Sequence, residues 1–295
     1  MASGGWRHRV NILSIQSWVA YGHVGNASAM FPLQMLGAEV WAVHTVQFSN
    51  HPGYGGFTGQ VFGAAEIAAL VDGIAARGVL GSCNAVLSGY LGAFEIGGAI
   101  LDAVARVRTD NPGALYACDP VIGDDGPGVY VRDGIEAFLM ARAVPAADIL
   151  TPNRFELARL TGLPCTTRAE TLAAIAALRA RMRQNGPRLV LLTSLITPET
   201  PPDTIGLLAA GDEGAFLLDT PLIPIAVNGA GDAIAALFLY HVLAGAGIAG
   251  ALERAASSVH GVLETTRAMG ARELQIIAAR SEFAAPRRMF RSTRL

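Results

Sequence analysis

Residues 228–240 read Asn-Gly-Ala-Gly-Asp-Ala-Ile-Ala-Ala-Leu-Phe-Leu-Tyr. The small residues Gly229, Ala230 and Gly231 let successive backbone N–H groups turn toward one anion. The apolar run from Ala233 to Tyr240 reads as the helix they open into. A helix N-terminus carries unpaired N–H donors and a partial positive charge, so a phosphate can sit there. Asp232 then stands beside that phosphate, where a base is needed to take the proton from a hydroxyl attacking phosphorus. A plainer reading of the same residues is an ordinary helix start with Asp232 as N-cap.

Outward from this stretch, the chain carries no charge from Ala233 to Leu252, a bilayer-spanning length. Gly245, Gly247 and Gly250 interrupt it, so the expectation is a buried helix, a turn and the start of another, with no membrane span. Upstream, short, largely apolar runs read as strands: Val10 to Ile15, which carries no charge, then Glu39 to Val46, Ala85 to Ser88, Leu115 to Cys118, Asp148 to Leu150 and Leu189 to Leu192. Helical stretches alternate with them, at 26–36 (with Pro32 inside), 64–77, 95–108, 133–142, 153–160 and 167–184. Residues 205–210 and 215–219 read as a hairpin around Gly211-Asp212-Glu213-Gly214. Helices at 233–243, 251–266 and 271–279 close the chain.

This alternation predicts an α/β fold of three layers, with a doubly wound, mostly parallel central sheet flanked by helices. Without a linker, composition shift or repeat, residues 1–295 read as one domain with a tail at 1–9 and small flaps after Val46 and at 123–131. Ser17, Tyr90, Asp119 and Thr193 all fall just after strands. In such sheets ligands bind at the carboxyl ends of the strands.

Composition excludes several chemistries. The 22 basic residues are all arginine. Without lysine there is neither a P-loop nor a Schiff base to bound pyridoxal phosphate. A formal net charge of -2 argues against nucleic acid as partner. Cys83, Cys118 and Cys165 are too few and scattered for a disulfide framework, and the six histidines do not fall at metal-ligand spacings. Residues 1–9 lack an apolar segment, so no secretory signal is expected and the reading is cytoplasmic.

The strand-end motifs together resemble a known family. They are Ile15-Gln16-Ser17, Tyr21-Gly22-His23-Val24-Gly25-Asn26, Val46-Gln47-Phe48-Ser49-Asn50-His51 and Leu87-Ser88-Gly89-Tyr90. With them stand Asp119-Pro120-Val121-Ile122-Gly123, Thr151-Pro152-Asn153 with Glu156, and Gly229-Ala230-Gly231-Asp232. The set is similar to the pyridoxal kinases, of the ribokinase-like superfamily, and the likeness runs from about Val10 to the C-terminus.

The resemblance implies ATP-dependent phosphorylation of the 5′-hydroxymethyl group of pyridoxal, with Mg²⁺, commonly a monovalent cation (K⁺ or Na⁺), and a homodimer. By position, it makes Asp232 the base and Gly229, Ala230 and Gly231 the anion hole. It puts Asp119, Thr151, Asn153, Glu156, Thr193 and Ser194 on the nucleotide side, with Asp119 and Glu156 toward the metal. Ser17, Val24, Val46, Phe48, His51 and Tyr90 line the vitamin pocket, and Tyr130 belongs to a flap between the substrates. Trp18 stands where the family commonly has His, and Pro52 where it commonly has Thr. The readings that compete are a kinase for another small hydroxymethyl compound, such as a hydroxymethylpyrimidine, and a non-catalytic vitamin-binding protein on the same fold.

Overall fold

The computed structural model describes residues 10–295; the tail at 1–9 lies outside the described residues. One ten-stranded sheet runs through the chain in the order β12-β11-β10-β9-β8-β5-β4-β1-β2-β3. Its strands are β1 (Asn11–Val19), β2 (Glu39–Phe48), β3 (Gly59–Val61), β4 (Ala85–Ser88) and β5 (Leu115–Cys118), with β8 (Ile149–Leu150), β9 (Leu189–Leu195), β10 (Thr204–Gly211), β11 (Gly214–Pro221) and β12 (Thr293–Arg294). The centre, from β2 through β1, β4, β5 and β8 to β9, is parallel. The flanking pairings are antiparallel. A separate hairpin of β6 (Gly123–Asp124) and β7 (Gly128–Val129) forms the second flap.

Strands β1, β4, β5, β8 and β9 carry no charge because both of their faces are covered. Leu13, Ile15, Val86, Tyr116, Leu150, Val190 and Leu192 point into one apolar layer. Their neighbours Ile12, Ala85, Leu87, Ala117, Ile149, Leu189 and Leu191 point into the other. The first layer is closed by α2 (Ala64–Ala75), α3 (Phe94–Asp110), α4 (Ile135–Phe138), which runs through a π turn into α5 (Val144–Ala146), α6 (Arg154–Thr161) and α7 (Arg168–Arg181). The second is closed by α1 (Asn26–Met35), α8 (Ala230–Leu243), α9 (Gly247–Ala268) and α10 (Ser281–Ala284). Residues Ala233 to Leu239 of α8 are all buried, which accounts for their lack of charge. Among the described residues no helix is long and apolar enough to cross a membrane.

Three local expectations need correction. Helix α8 begins at Ala230 with Gly229 as its N-cap, so Asp232 lies inside the first turn and is not the cap. The closing helix expected at 271–279 is absent. Leu274 and Ile276 are buried at an alternating spacing along an irregular segment packed in the second apolar layer. The loop after Val46 contains β3, a three-residue edge strand with a glycine at its start, too short to give a periodic signal.

Candidate functional site

The strand ends of the parallel sheet gather the predicted residues on one edge. One end of that edge is built by β5, β8 and β9. Asp119 follows β5 and is 7% exposed; Thr151 and Asn153 follow β8; Thr193 bridges to Asn153 and donates its backbone N–H to the Pro152 carbonyl at 3.0 Å. Asn153 caps α6: its Oδ1 accepts the Glu156 N–H at 2.8 Å, and its Nδ2 donates to the Gly123 carbonyl at 2.8 Å. Glu156 answers the cap. Its Oε2 accepts the Asn153 N–H at 2.9 Å, while Oε1 accepts the Ile122 N–H at 2.7 Å and the Gly123 N–H at 3.4 Å. A capping box thus doubles as the anchor of the β6–β7 flap.

Two residues here hold left-handed backbone without being glycine. Val121 has φ 39° and Ser194 φ 55°. A β-branched residue in that region costs about 1–3 kcal/mol and persists only where its surroundings fix it. Val121 sits between Asp119 and the Ile122 N–H that Glu156 holds, so the strain lies in the segment that aims Asp119.

The three carboxylates form one electrostatic unit. Burial, then Glu156 and Asp232, raise the Asp119 pKa well above the carboxylate range. Burial likewise raises Glu156, against the pull of three backbone N–H groups. Burial lifts Asp232 to about 6, while the N–H groups of Gly25 and of Asp232 itself pull it down. No arginine among the described residues pairs with any of the three. The Thr151 hydroxyl is buried beside Asp119, whose pKa it pulls down, and has no other partner among the described residues. Three clustered carboxylates with no arginine partner, and a hydroxyl beside one of them, fit a cation that arrives with further ligands and waters of its own. Among the described residues no three acidic, His or Cys groups form a ready-made metal cage.

Asp232 faces this cluster from the first turn of α8. The turn is locked from outside: Ser28 Oγ donates to the Gly229 carbonyl at 2.8 Å. Gly229 has φ 93°, and a Cβ there would lie 1.8 Å from the His23 carbonyl oxygen. Gly231 is different, since a Cβ on it would meet no protein atom within 4 Å. Over this end stands Tyr130, 51% exposed. Its hydroxyl end is desolvated and feels Glu156, Asp119 and Asp232, which raises its pKa.

The other end of the edge, at β1 and β2, is apolar. Val19, Val46 and Phe48 form a small buried cluster separate from both main layers, with Val24 and Tyr90 packed against it. Phe48 and Phe57 stack with ring centroids 4.4 Å apart. Ser17 is buried behind Gly25, where a Cβ would lie 2.3 Å from the Ser17 hydroxyl oxygen. Trp18 points to the other face of β1 and packs on His44, ring centroids 4.9 Å apart. His51 begins the turn Pro52–Tyr54, its Nδ1 accepting the Gly53 N–H at 3.2 Å.

Sequence reading passed over Asn26, Ser28 and Ser14 as site builders. Ser14 Oγ donates to Asn26 Oδ1 at 2.7 Å, and Asn26 Nδ2 donates to the Val43 carbonyl at 3.0 Å. This buried network fixes the 22–25 turn on β1 and β2. A polar residue within an uncharged strand, Ser14, is the signal that could have found it.

A family model described as phosphomethylpyrimidine kinase matches residues 81–276. A pyridoxal kinase (PdxY) of Granulibacter bethesdensis is 60% identical over 281 residues, covering 95% of this chain and 98% of that protein. One from Deinococcus radiodurans is 54% identical, covering 97% of this chain and 96% of its own. The solved structure of Leishmania donovani pyridoxal kinase in complex with ADP and pyridoxamine superposes with a TM-score of 0.89 at 26% identity, covering 97% of this chain and 99% of that one.

Proposed function

The chain belongs to the pyridoxal kinase family, and on that premise we propose that it transfers the terminal phosphoryl group of ATP to the 5′-hydroxymethyl of pyridoxal, in vitamin B6 salvage. The observation that carries the mechanism is Asp232. It is a carboxylate in the first turn of a locked helix start, with its pKa lifted to about 6. A base poised near neutral pH is still ionised yet basic enough to take a hydroxyl proton. The substrate oxygen, losing its proton to Asp232, forms a bond to the terminal phosphorus as the bond from that phosphorus to the ADP oxygen breaks. The N–H groups of the α8 start, Gly229 to Gly231, face the charge on the moving phosphoryl group.

Mg²⁺ bound with ATP supplies positive charge at the phosphates. Asp119 and the Thr151 hydroxyl would hold it, and Glu156, its oxygens already taken by three N–H groups, would act through water. Asn153, Thr193 and Ser194 border the nucleotide phosphates, and Tyr130 closes over them from the flap. On the vitamin side Val24, Val46, Phe48 and Tyr90 wall the ring, with Ser17 and His51 as its polar contacts. A monovalent cation, a homodimer and a cytoplasmic setting complete the proposal. Three buried free thiols suit a reducing compartment.

The test is a phosphorylation assay with ATP-Mg²⁺ and pyridoxal, pyridoxamine, pyridoxine and a hydroxymethylpyrimidine. The last is included because the matched family model carries that description. Turnover of pyridoxal well above the pyrimidine is expected. Preference for the pyrimidine, or no turnover, overturns the reading.

A further inference from the structure

The vitamin-side turn at 51–54 has little core of its own. Pro52 and Gly53 are exposed, and a cavity of about 330 Å³ opens between this turn and Ala226, Val227 and Asn228. Asn228 Nδ2 lies 3.3 Å from both ring nitrogens of His51, and a carboxylate 219 residues downstream of Tyr54 ties the turn down further. Glu273, on the irregular segment after α9, is 6% exposed. Its Oε1 accepts the Tyr54 hydroxyl at 2.6 Å and lies 3.3 Å from Nε2 of His51. Its Oε2 accepts the His23 N–H at 3.2 Å. Gly22 packs directly on it, since a Cβ there would lie 2.1 Å from Oε2. The Arg272 guanidinium lies 4.8 Å over the Tyr54 ring and covers the contact from outside.

The donors around Glu273 share one property. A tyrosine O–H, a backbone N–H and an imidazole N–H can all give a proton to it, and only an acceptor-only side chain with two oxygens suits them all. The His23 carbonyl, one atom group away from that N–H, packs on Gly229 at the start of α8. One carboxylate therefore joins the pocket turn at 51–54, the turn at 22–23 and, through it, the helix start that carries Asp232.

We propose that Glu273 is a positioning residue for the vitamin site, clamping the 51–54 and 22–23 turns together so that His51 meets the substrate ring in a fixed place. This rests on the kinase reading above, and its role is to set affinity for the hydroxymethyl substrate without touching the reacting atoms. Losing a bond to a charged acceptor commonly costs tenfold or more in the affinity it supports.

The test uses Glu273→Ala, Glu273→Gln and Tyr54→Phe, with two readouts. Amide hydrogen exchange in the ligand-free protein reads the clamp itself, and steady-state kinetics read its use. Glu273→Ala should speed exchange at 50–56 and 21–24, leave the central sheet unchanged, and raise the pyridoxal KM about tenfold with the ATP KM within about twofold. Glu273→Gln, which offers one oxygen and an NH₂, should fall between parent and Ala in both readouts. Tyr54→Phe should move the pyridoxal KM about threefold, and the Tyr54→Phe/Glu273→Ala pair should be no worse than Glu273→Ala alone. If Glu273→Ala does not fold, the Gln and Phe variants carry the comparison. Unchanged exchange at both turns, or KM values for both substrates that rise together, overturns the clamp. A parent protein that turns over no pyridoxal while Glu273→Ala still loosens both turns overturns the kinase reading and leaves the clamp in place.

Discussion

At the phosphoryl end of the sheet edge, Asp119, Thr151, Asn153 and Glu156 stand on adjacent parallel strands and one capped helix, with their backbone partners only a few residues or one strand away. At the vitamin end, His51 and Tyr54 sit on a surface turn whose main tether, Glu273, lies at the far end of the chain. The first region is made by folding the sheet itself, and it keeps a strained Val121 because everything around that residue is fixed. The second is made by a contact between segments distant in sequence. The difference teaches where change is tolerated: in the proposed reading the chemistry is held by the fold, and the substrate pocket by one polar cluster and a small apolar wall. Of the two departures from the family pattern, Pro52 falls in the turn at 51–54, while Trp18 packs on His44 at the other face of β1.

The largest effect expected is at the phosphoryl end. Asp232→Asn keeps the side chain's shape and removes the base, so kcat should fall about 10²–10⁴-fold with the ATP KM little changed. Near-normal turnover would mean the two ends do not divide the work as described.

The glycines of α8 sharpen the contrast within a single turn. Gly231 faces open space, so Gly231→Val should keep a native circular dichroism spectrum and lose about 10²–10³-fold in kcat by filling the anion site. Gly229 is bound into the fold. Gly229→Ala places a Cβ against the His23 carbonyl at φ 93° and should lower stability by about 1–3 kcal/mol from backbone strain alone, read as a lower melting temperature. If the two variants behaved alike, the phosphate would not sit on Gly231.

The smallest effect belongs to the vitamin end. Pro52 occupies the first position of its turn, where no N–H is needed. Threonine would restore a hydroxyl worth about 0.5–1.5 kcal/mol if it reached the substrate, and would lose about 0.4–1 kcal/mol of loop stiffness. Pro52→Thr should therefore change the pyridoxal KM by less than about tenfold and leave the ATP KM alone. A shift confined to the ATP KM would place this turn on the nucleotide side.

How much was legible in the sequence follows the same division. Strand ends were legible for Tyr90 and Asp119, which follow β4 and β5, but β1 runs on to Val19 and β9 to Leu195, so Ser17 and Thr193 lie inside their strands because polar residues there do not stop the pairing. The role of Glu156 was only half legible. Its spacing from Asn153 marks a capping box, but its grip on Ile122 and Gly123 depends on the fold. The start of α8 was read three residues late because alanine and glycine carry no cap signal, while Gly229 was fixed as cap by contact with His23. Residues 271–279 looked helical by composition, yet an irregular path of bends and turns there buries Leu274 and Ile276 and delivers Glu273 to Tyr54. No local pattern encodes a contact 219 residues long.

The central claim is that Asp232, raised from the ordinary 3.8 to about 6 by its burial, acts as the base in its ionised form. Activity should be full above that value and lost below it as the carboxylate takes up a proton. The most direct measurement is kcat/KM for pyridoxal against pH, for the parent and for Asp232→Asn, with the substrate's own titration common to both. The account predicts that the parent falls about tenfold per pH unit below about 6, a limb absent from the variant. The same limb in both proteins, or none near 6 in the parent, would contradict it.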